Sequence, residues 1–244
     1  MSGHSKWSKI QHKKGATDTK RGMIFTKLGK AVTIAVQQGG NDPEMNFSLR
    51  LAIEKAKGAN MPKDNIERAI KRGTGELKDG VQIEEILYEG FGPHGVAILI
   101  ETLTDNKNRT VSEIKHVLGQ YGGSLGGPNS VQWQFNRLGV IRLGDSLKSK
   151  VKSLKSEFEL ELIDAGAEDI IDSEFGLEIR CFVEKFQKVL EVVKKFGLAP
   201  EESGLEWVAK ETLSLDESQS EKVANLCEYF EDLDDVRSVY TNEA

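Results

Sequence analysis

The sequence predicts an α+β protein: a helical N-terminal bundle followed by two ferredoxin-like α+β domains, one inserted in the other. Three observations predict it. Charge is separated along the chain, with residues 1–80 carrying 16 Lys+Arg against 8 Asp+Glu although all 244 residues together sum to −6. Apolar side chains recur at helical spacing as far as Gly73 and then alternate as in strands. The middle of the chain also reads β-α-β-β-α-β, the ferredoxin-like order.

Taken in order, residues 2–22 are polar and basic, with Trp7 and Ile10 as the apolar exceptions. Alone they cannot bury enough surface to fold, so a mobile arm is expected. Met23, Ile24, Phe25, Leu28, Val32, Ile34 and Val36 then repeat as one side of a helix, with Lys27 and Lys30 interleaved, that Gly39-Gly40 ends. Asp42-Pro43-Glu44 starts the next helix, with Asp42 as cap and proline in the first turn, and Phe47, Leu51, Ala52 and Ala56 repeat at helical spacing until Gly58. Pro62 opens a third helix, closed by Gly73. Past a glycine-bearing linker, strands are expected over 83–91 and 96–104, joined by Gly92-Pro93-His94-Gly95. A helix over 110–120 follows, capped by Thr110 with Glu113 at capping-box spacing. Residues 122–127 read as a flexible loop and 131–135 as a strand. The middle set comprises strands at 139–143, 169–172, 177–183 and 204–209 with helices over 147–165 and 184–196. A strand at 211–215, a helix over 216–233 and a strand at 236–241 close the chain and can complete the module begun at Ile83. The domains expected are 1–75, 81–135 with 210–244, and an inserted 136–209.

Composition excludes several functions. The longest apolar run, Val96 to Ile100, is far short of the ~20 residues a membrane span needs. The N-terminus lacks the apolar stretch of a secretory signal, so a cytoplasmic protein is expected. Cys181 and Cys227 sit apart in apolar settings and read as reduced core thiols. With His4, His12, His94 and His116 they make no metal-ligand spacing, and no cofactor is expected. Gly90-Phe91-Gly92-Pro93-His94-Gly95 matches a dinucleotide-loop pattern, but a strand follows where a helix is needed, so a hairpin turn is the better reading. Glu84-Glu85, Glu201-Glu202 and Asp234-Asp235 read as solvated surface rather than paired acids and bases. No nucleophile signature appears, so no enzyme and no small-molecule substrate is expected.

What remains is the cationic segment Lys6, Trp7, Lys9, His12, Lys13, Lys14, Lys20, Arg21, Lys27 and Lys30. Lysines neutralise phosphates without reading sequence, and Trp7 can stack on a base or pack onto the bundle. Arg50, Lys55, Lys57, Lys63, Arg68, Lys71 and Arg72 extend the charge into the helices. A second cluster, Asn106, Asn108 and Arg109 at a strand-to-helix junction, reads either as a phosphate contact or as turn and capping chemistry.

Several motifs occur in one order: Gly3-His4-Ser5-Lys6-Trp7, His12-Lys13-Lys14, Phe25-Thr26-Lys27 and Asn60-Met61-Pro62-Lys63-Asp64-Asn65-Ile66, then Tyr88-Glu89-Gly90-Phe91-Gly92-Pro93, Leu103-Thr104-Asp105-Asn106, Asn108-Arg109-Thr110, Gly122-Gly123 and Trp133. Together they resemble the YebC/PmpR family over nearly the whole chain. Asn129 departs from the pattern where glycine is expected, which leaves that turn open. The resemblance implies three domains, one inserted in another, and a DNA-binding regulator of transcription. It also implies the alternative of an RNA- or ribosome-binding translation factor, since mitochondrial relatives resemble translational activators. The partners expected are therefore DNA or ribosomal RNA, and the ribosome, with no membrane.

Overall fold

The computed structural model describes residues 18–77, 82–173 and 176–244. The chain divides into two compact units, one made of residues 1–134 and 209–244 and the other of 135–208.

Helices α1 (Asp18–Gly39), α2 (Phe47–Gly58) and α3 (Lys63–Gly73) open the first unit. The apolar spacing read from the sequence becomes a core of Val32, Ala35, Val36, Leu49 and Ala69. Helices α1 and α3 approach so closely that a Cβ on Gly73 would lie 2.6 Å from Val36 Cβ. The fully buried Thr33 hydroxyl donates across the same seam to the Ala69 carbonyl at 3.0 Å. The cap of α2 is Asn46 and not Asp42. Asp42 shapes the preceding turn by accepting the Glu44 N–H, while buried Asn46 accepts the Leu49 N–H and donates to Ala35 O and Gly40 O. One side chain thereby satisfies a helix start and fixes the α1–α2 corner.

The rest of this unit is a four-stranded sheet in the order β3-β1-β2-β8, with β1 Glu84–Phe91, β2 Ala97–Thr104, β3 Ser124–Leu125 and β8 Val236–Thr241. Strands β1 and β2 form the expected antiparallel hairpin, Glu84 opposite Thr104 through Phe91 opposite Ala97. Helices α4 (Lys107–Gln120) and α7 (Glu217–Glu231) contribute Ile114, Leu118, Leu226 and Phe230 to a core with Ile98 and Ile100. Ile34 of α1 meets Ile83 and Leu103, which joins the helices to the sheet.

Local differences from the expectations have physical causes. Helix α4 begins one turn early because Asn106 caps it, and Thr110 is instead buried within its first turns. Part of the expected flexible loop is β3, drawn onto β1 by Gly90–Leu125 and Phe91–Ser124 pairing. Residues 132–134 form a 3₁₀ turn, because the buried Glu89 carboxylate gathers the N–H groups of Asn129, Val131 and Gln132 into a knot instead of a ladder. Asn129 takes the left-handed conformation there, φ 63°, which asparagine tolerates where other side chains strain. The expected strand at 211–215 is reduced to a single bridge between Leu213 and Glu243.

The second unit holds β4 (Phe135–Gly144), α5 (Lys148–Ala165), β5 (Ala167–Ser173), β6 (Gly176–Phe182), α6 (Phe186–Lys195) and β7 (Glu202–Ala209). Its order β5-β6-β4-β7 is the ferredoxin-like arrangement. The first unit's sheet instead begins with a hairpin and reaches a four-stranded sheet with two helices by its own order. Phe158, Leu162, Ile179 and Phe186 are among the fully buried core side chains of the second unit, and Arg142 is bound by Glu178, Glu202 and Glu206. Both thiols are buried; burial pushes Cys181 up to about 11 and Cys227 higher still.

Candidate nucleic-acid interface

Of the cationic segment, Lys6, Trp7, Lys9, His12, Lys13 and Lys14 lie outside the described residues. Lys20 falls in the first turn of α1, and Arg21 beside it is exposed. The helix then carries Lys27 and Lys30 to the turn between α7 and β8. The Lys27 ammonium donates to the Glu231 carbonyl, in the last turn of α7. Lys30 Nζ lies 2.6 Å from Asp235 Oδ1 and 3.1 Å from the Asp234 carbonyl. Both lysines are thus bound to protein acceptors at the negative end of a helix and the turn behind it, where a cation is stabilised.

Asp235 is the centre of this contact. It is only 2% exposed, which corrects the reading of Asp234-Asp235 as solvated surface. Its Oδ2 accepts from Arg109 at 2.7 Å, from the Thr110 hydroxyl at 2.7 Å and from the Thr104 hydroxyl at 3.1 Å. Burial alone would raise its pKa, but hydrogen bonds from Lys30, Arg109 and Thr110 outweigh that and pull it down to about 2. The same bond to Asp235 holds Arg109 firmly protonated, with Asp105 adding a second bond at 2.8 Å. Burial pushes the Lys27 ammonium down to about 8 against the opposing pull of Glu231, Asp234 and Asp232.

The second cluster is therefore largely occupied. Asn106 accepts the Arg109 N–H as the cap of α4, and Arg109 is shared between two carboxylates. Asn108 is exposed, and its carbonyl accepts the Ser112 hydroxyl. The structure brings Lys30 and Arg109 onto one carboxylate, a convergence invisible in the sequence because Lys30 and Asp235 are 205 positions apart. The motifs Leu103-Thr104-Asp105-Asn106 and Asn108-Arg109-Thr110 mark this junction in the sequence but not its partner Asp235.

The cations left facing solvent lie on the helices. Arg21, Lys57, Arg68 and Lys71 are exposed and make no side-chain hydrogen bond or ion pair among the described residues. Lys63 pairs loosely with Glu67 at 3.4 Å in an exposed position, a weak bond in water. Arg50 lies over the Phe47 ring at 5.3 Å. Between α1 and α3 runs an open groove of about 630 Å³. Phe25 and Met61 contribute apolar surface, Thr26 and Asn65 polar groups, and Arg68 and Arg72 positive charge. Two of the sequence motifs, Phe25-Thr26-Lys27 and the run from Asn60 to Ile66, meet at this groove.

Comparison with known proteins bears on the whole chain. Residues 5–76 match a family model described as the TACO1/YebC protein N-terminal domain, and residues 83–243 one described as the TACO1/YebC second and third domain. A "probable transcriptional regulatory protein" of Syntrophus aciditrophicus is 47% identical over 99% of this chain and 95% of its own length. A protein of the same name from Maridesulfovibrio salexigens is 48% identical over 99% and 95%. A crystal structure of a conserved hypothetical protein from Aquifex aeolicus superimposes with a TM-score of 0.84 at 41% identity, covering 98% of this chain and 96% of that one.

Proposed function

Because this chain belongs to the TACO1/YebC family, whose relatives bear the name of transcriptional regulators, we propose that it regulates gene expression by binding nucleic acid through its N-terminal helical part, without catalysing a reaction. The observation that carries the reading is the charge separation: a net +8 over residues 1–80 against −14 over the rest. A cationic end draws in a polyanion at long range, and the anionic remainder limits indiscriminate binding. Arg21, Lys57, Arg68 and Lys71, exposed and unpaired among the described residues, can meet phosphates without first breaking an ion pair. Lys6, Lys9, Lys13, Lys14 and Lys20 add to them in the sequence, with Trp7 and His12 interleaved. Phosphate contacts of this kind position the protein and give affinity but no sequence reading.

The relatives' name favours DNA. RNA, and with it a role in translation on the ribosome, is favoured by the outer surface of α3, where Asp64 and Glu67 stand among Lys63, Arg68 and Lys71. A helix seated in a major groove has phosphates on both sides, and Asp64 and Glu67 would be repelled there. Competition between a structured ribosomal RNA and duplex DNA over a salt series tests the reading. Each phosphate contact adds about 0.7 to 0.9 to the slope of log affinity against log salt. Charge reversal at Lys9, Lys13, Lys14 and Lys20 together is expected to abolish binding with the fold intact. Unchanged affinity at low salt would remove these residues from the interface.

A further inference from the structure

We infer that the groove between α1 and α3 seats one unpaired nucleotide of a single-stranded RNA, with the base against Phe25 and Met61 and the backbone phosphate at Arg68. The inference rests on the nucleic-acid reading above and makes its binding surface specific.

The lining has the two chemistries a nucleotide needs side by side. Half-buried Phe25 and Met61, 8% exposed at the edge of a core with Ala56 and Ile66, line the groove with apolar surface, and an aromatic ring is a group on which any base can stack. Arg68 is exposed, has no partner among the described residues, and lies at the groove with half-buried Arg72. The one carboxylate there, Asp105, is bound by Arg109 at 2.8 Å, so it does not repel an anion with full charge. Thr26 and Asn65 supply the hydrogen-bonding groups that a 2′-hydroxyl or a base edge can use.

The size limits the occupant. About 630 Å³ is in the range of sites that hold a single small ligand, roughly 300–1,000 Å³, and a double helix cannot enter it. RNA presents unstacked bases in loops and single strands, where they can be received one at a time. Nor does the chain's own N-terminal segment suit the groove: residues 1–17 hold four lysines and no acid, and would meet Arg68 and Arg72 as like charges.

Gly29 adds a separate reason. It stands in the interior of α1, where glycine destabilises a helix by roughly 0.5–1 kcal/mol relative to alanine. It does not take a positive φ, and an added Cβ would meet only Met61 Cε, at an ordinary 3.7 Å. Nothing in the packing of the fold demands glycine at that position. What the missing side chain does is leave the groove open beside Met61.

The test uses the full chain and two fluorescent probes, an unstructured RNA dodecamer and a blunt RNA duplex of the same length, read by anisotropy at fixed salt. The wild type is expected to favour the single strand. Gly29→Leu, which fills the groove without changing charge, is expected to weaken single-strand binding about tenfold, the scale of one lost stacking contact, and to leave the duplex unchanged. Arg68→Glu is expected to weaken the single strand more than the duplex, whereas Lys188→Glu, the same charge change on α6, leaves the preference as it was. A dodecamer carrying 4-thiouridine, photocrosslinked to the wild type, is expected to map to the peptides bearing Phe25 or Met61, independently of how any variant folds. Equal wild-type affinity for both probes, parallel losses on both in Gly29→Leu, or crosslinks confined elsewhere would overturn the groove assignment while leaving nucleic-acid binding in place. Binding to neither probe nor to duplex DNA would overturn both.

Discussion

Replacing Asp235 by asparagine keeps the shape of the side chain and removes the charge on which Lys30, Arg109, Thr104 and Thr110 converge. Two effects set the magnitude. The carboxyl titrates at about 2 in the folded protein. Against roughly 3.9 in an unfolded chain, that difference of about two units is worth about 2–3 kcal/mol at neutral pH. The variant also strands Lys30, whose side chain is 14% exposed, while Arg109 at 45% can turn to water. The expected loss is roughly 3 kcal/mol at pH 7, at the low end for a broken buried pair because one partner resolvates. The sign with pH follows from the depressed value. The contribution is complete above the unfolded carboxylate's pKa and is lost as pH falls from about 4 toward 2, so the variant and the wild type converge in acid. Urea denaturation of both proteins at intervals from pH 7 to 2.5 measures the gap. Hydrogen exchange locates it: peptides from α1 and α7 should lose protection, and those from α5 and α6 should not. Equal stability at pH 7, or a gap that persists undiminished to pH 2.5, would refute Asp235 as the anchor of α1.

Arg142, 3% exposed, donates to Glu178 at 2.8 Å and to Glu206 at 2.7 and 2.8 Å, so Arg142→Ala takes this cation from buried Glu206 and leaves Glu178 with Arg180 alone. A loss of roughly 3–5 kcal/mol is expected in urea denaturation of the unit at residues 135–208. Burial would raise the Glu178 pKa, but Arg142 and Arg180 hold it below the usual range, so the wild type's advantage shrinks as pH falls through that range. Lys27 titrates in the opposite sense: with its ammonium at about 8 when folded and roughly 10.4 when unfolded, the unfolded chain binds the extra proton between those values, and stability rises with pH there. Measured against Lys27→Met, which has no proton to lose, wild-type stability should climb by up to roughly 3 kcal/mol from pH 8 to 10.5, and a flat difference would show that Lys27 is not desolvated.

Local patterns carried most of the fold. Strand β8 lies at the residues expected of it, and α3 runs from the residue after Pro62 to Gly73, because the local pattern and burial agree there. Periodicity failed where a distant group set the backbone. Residues 131–135 alternate like a strand, but the Glu89 carboxylate, some 40 positions earlier, claims the N–H groups of Val131 and Gln132, and the strand starts only at Phe135. Asp42 and Thr110 have the right chemistry to cap helices and lost to Asn46 and Asn106, which also reach a neighbouring helix or sit one turn earlier. At the candidate interface, composition showed the excess of positive charge but could not show its allocation. Whether a lysine is solvated or consumed by an ion pair depends on what the fold brings to it, and Asp235, in an acidic run near the end of the chain, has no local mark of being buried.

That allocation changes how the cationic segment has to be tested. Lys27 and Lys30 are part of the same excess of charge as Arg21 and Arg68, yet they join α1 to the α7–β8 turn. Reversing their charge would place a carboxylate beside Asp235 or at the carboxyl end of α7, where it is repelled, and would loosen the helix that also forms one wall of the groove. Nucleic-acid binding would fall in such variants whether or not either lysine ever touched a phosphate. A loss of affinity at Arg21, Arg68 or Lys71, which have no partner to release among the described residues, reports on the nucleic acid itself. The two groups separate in one further respect: affinity lost through direct phosphate contact lowers the salt slope, while affinity lost by loosening α1 lowers thermal stability of the free protein as well.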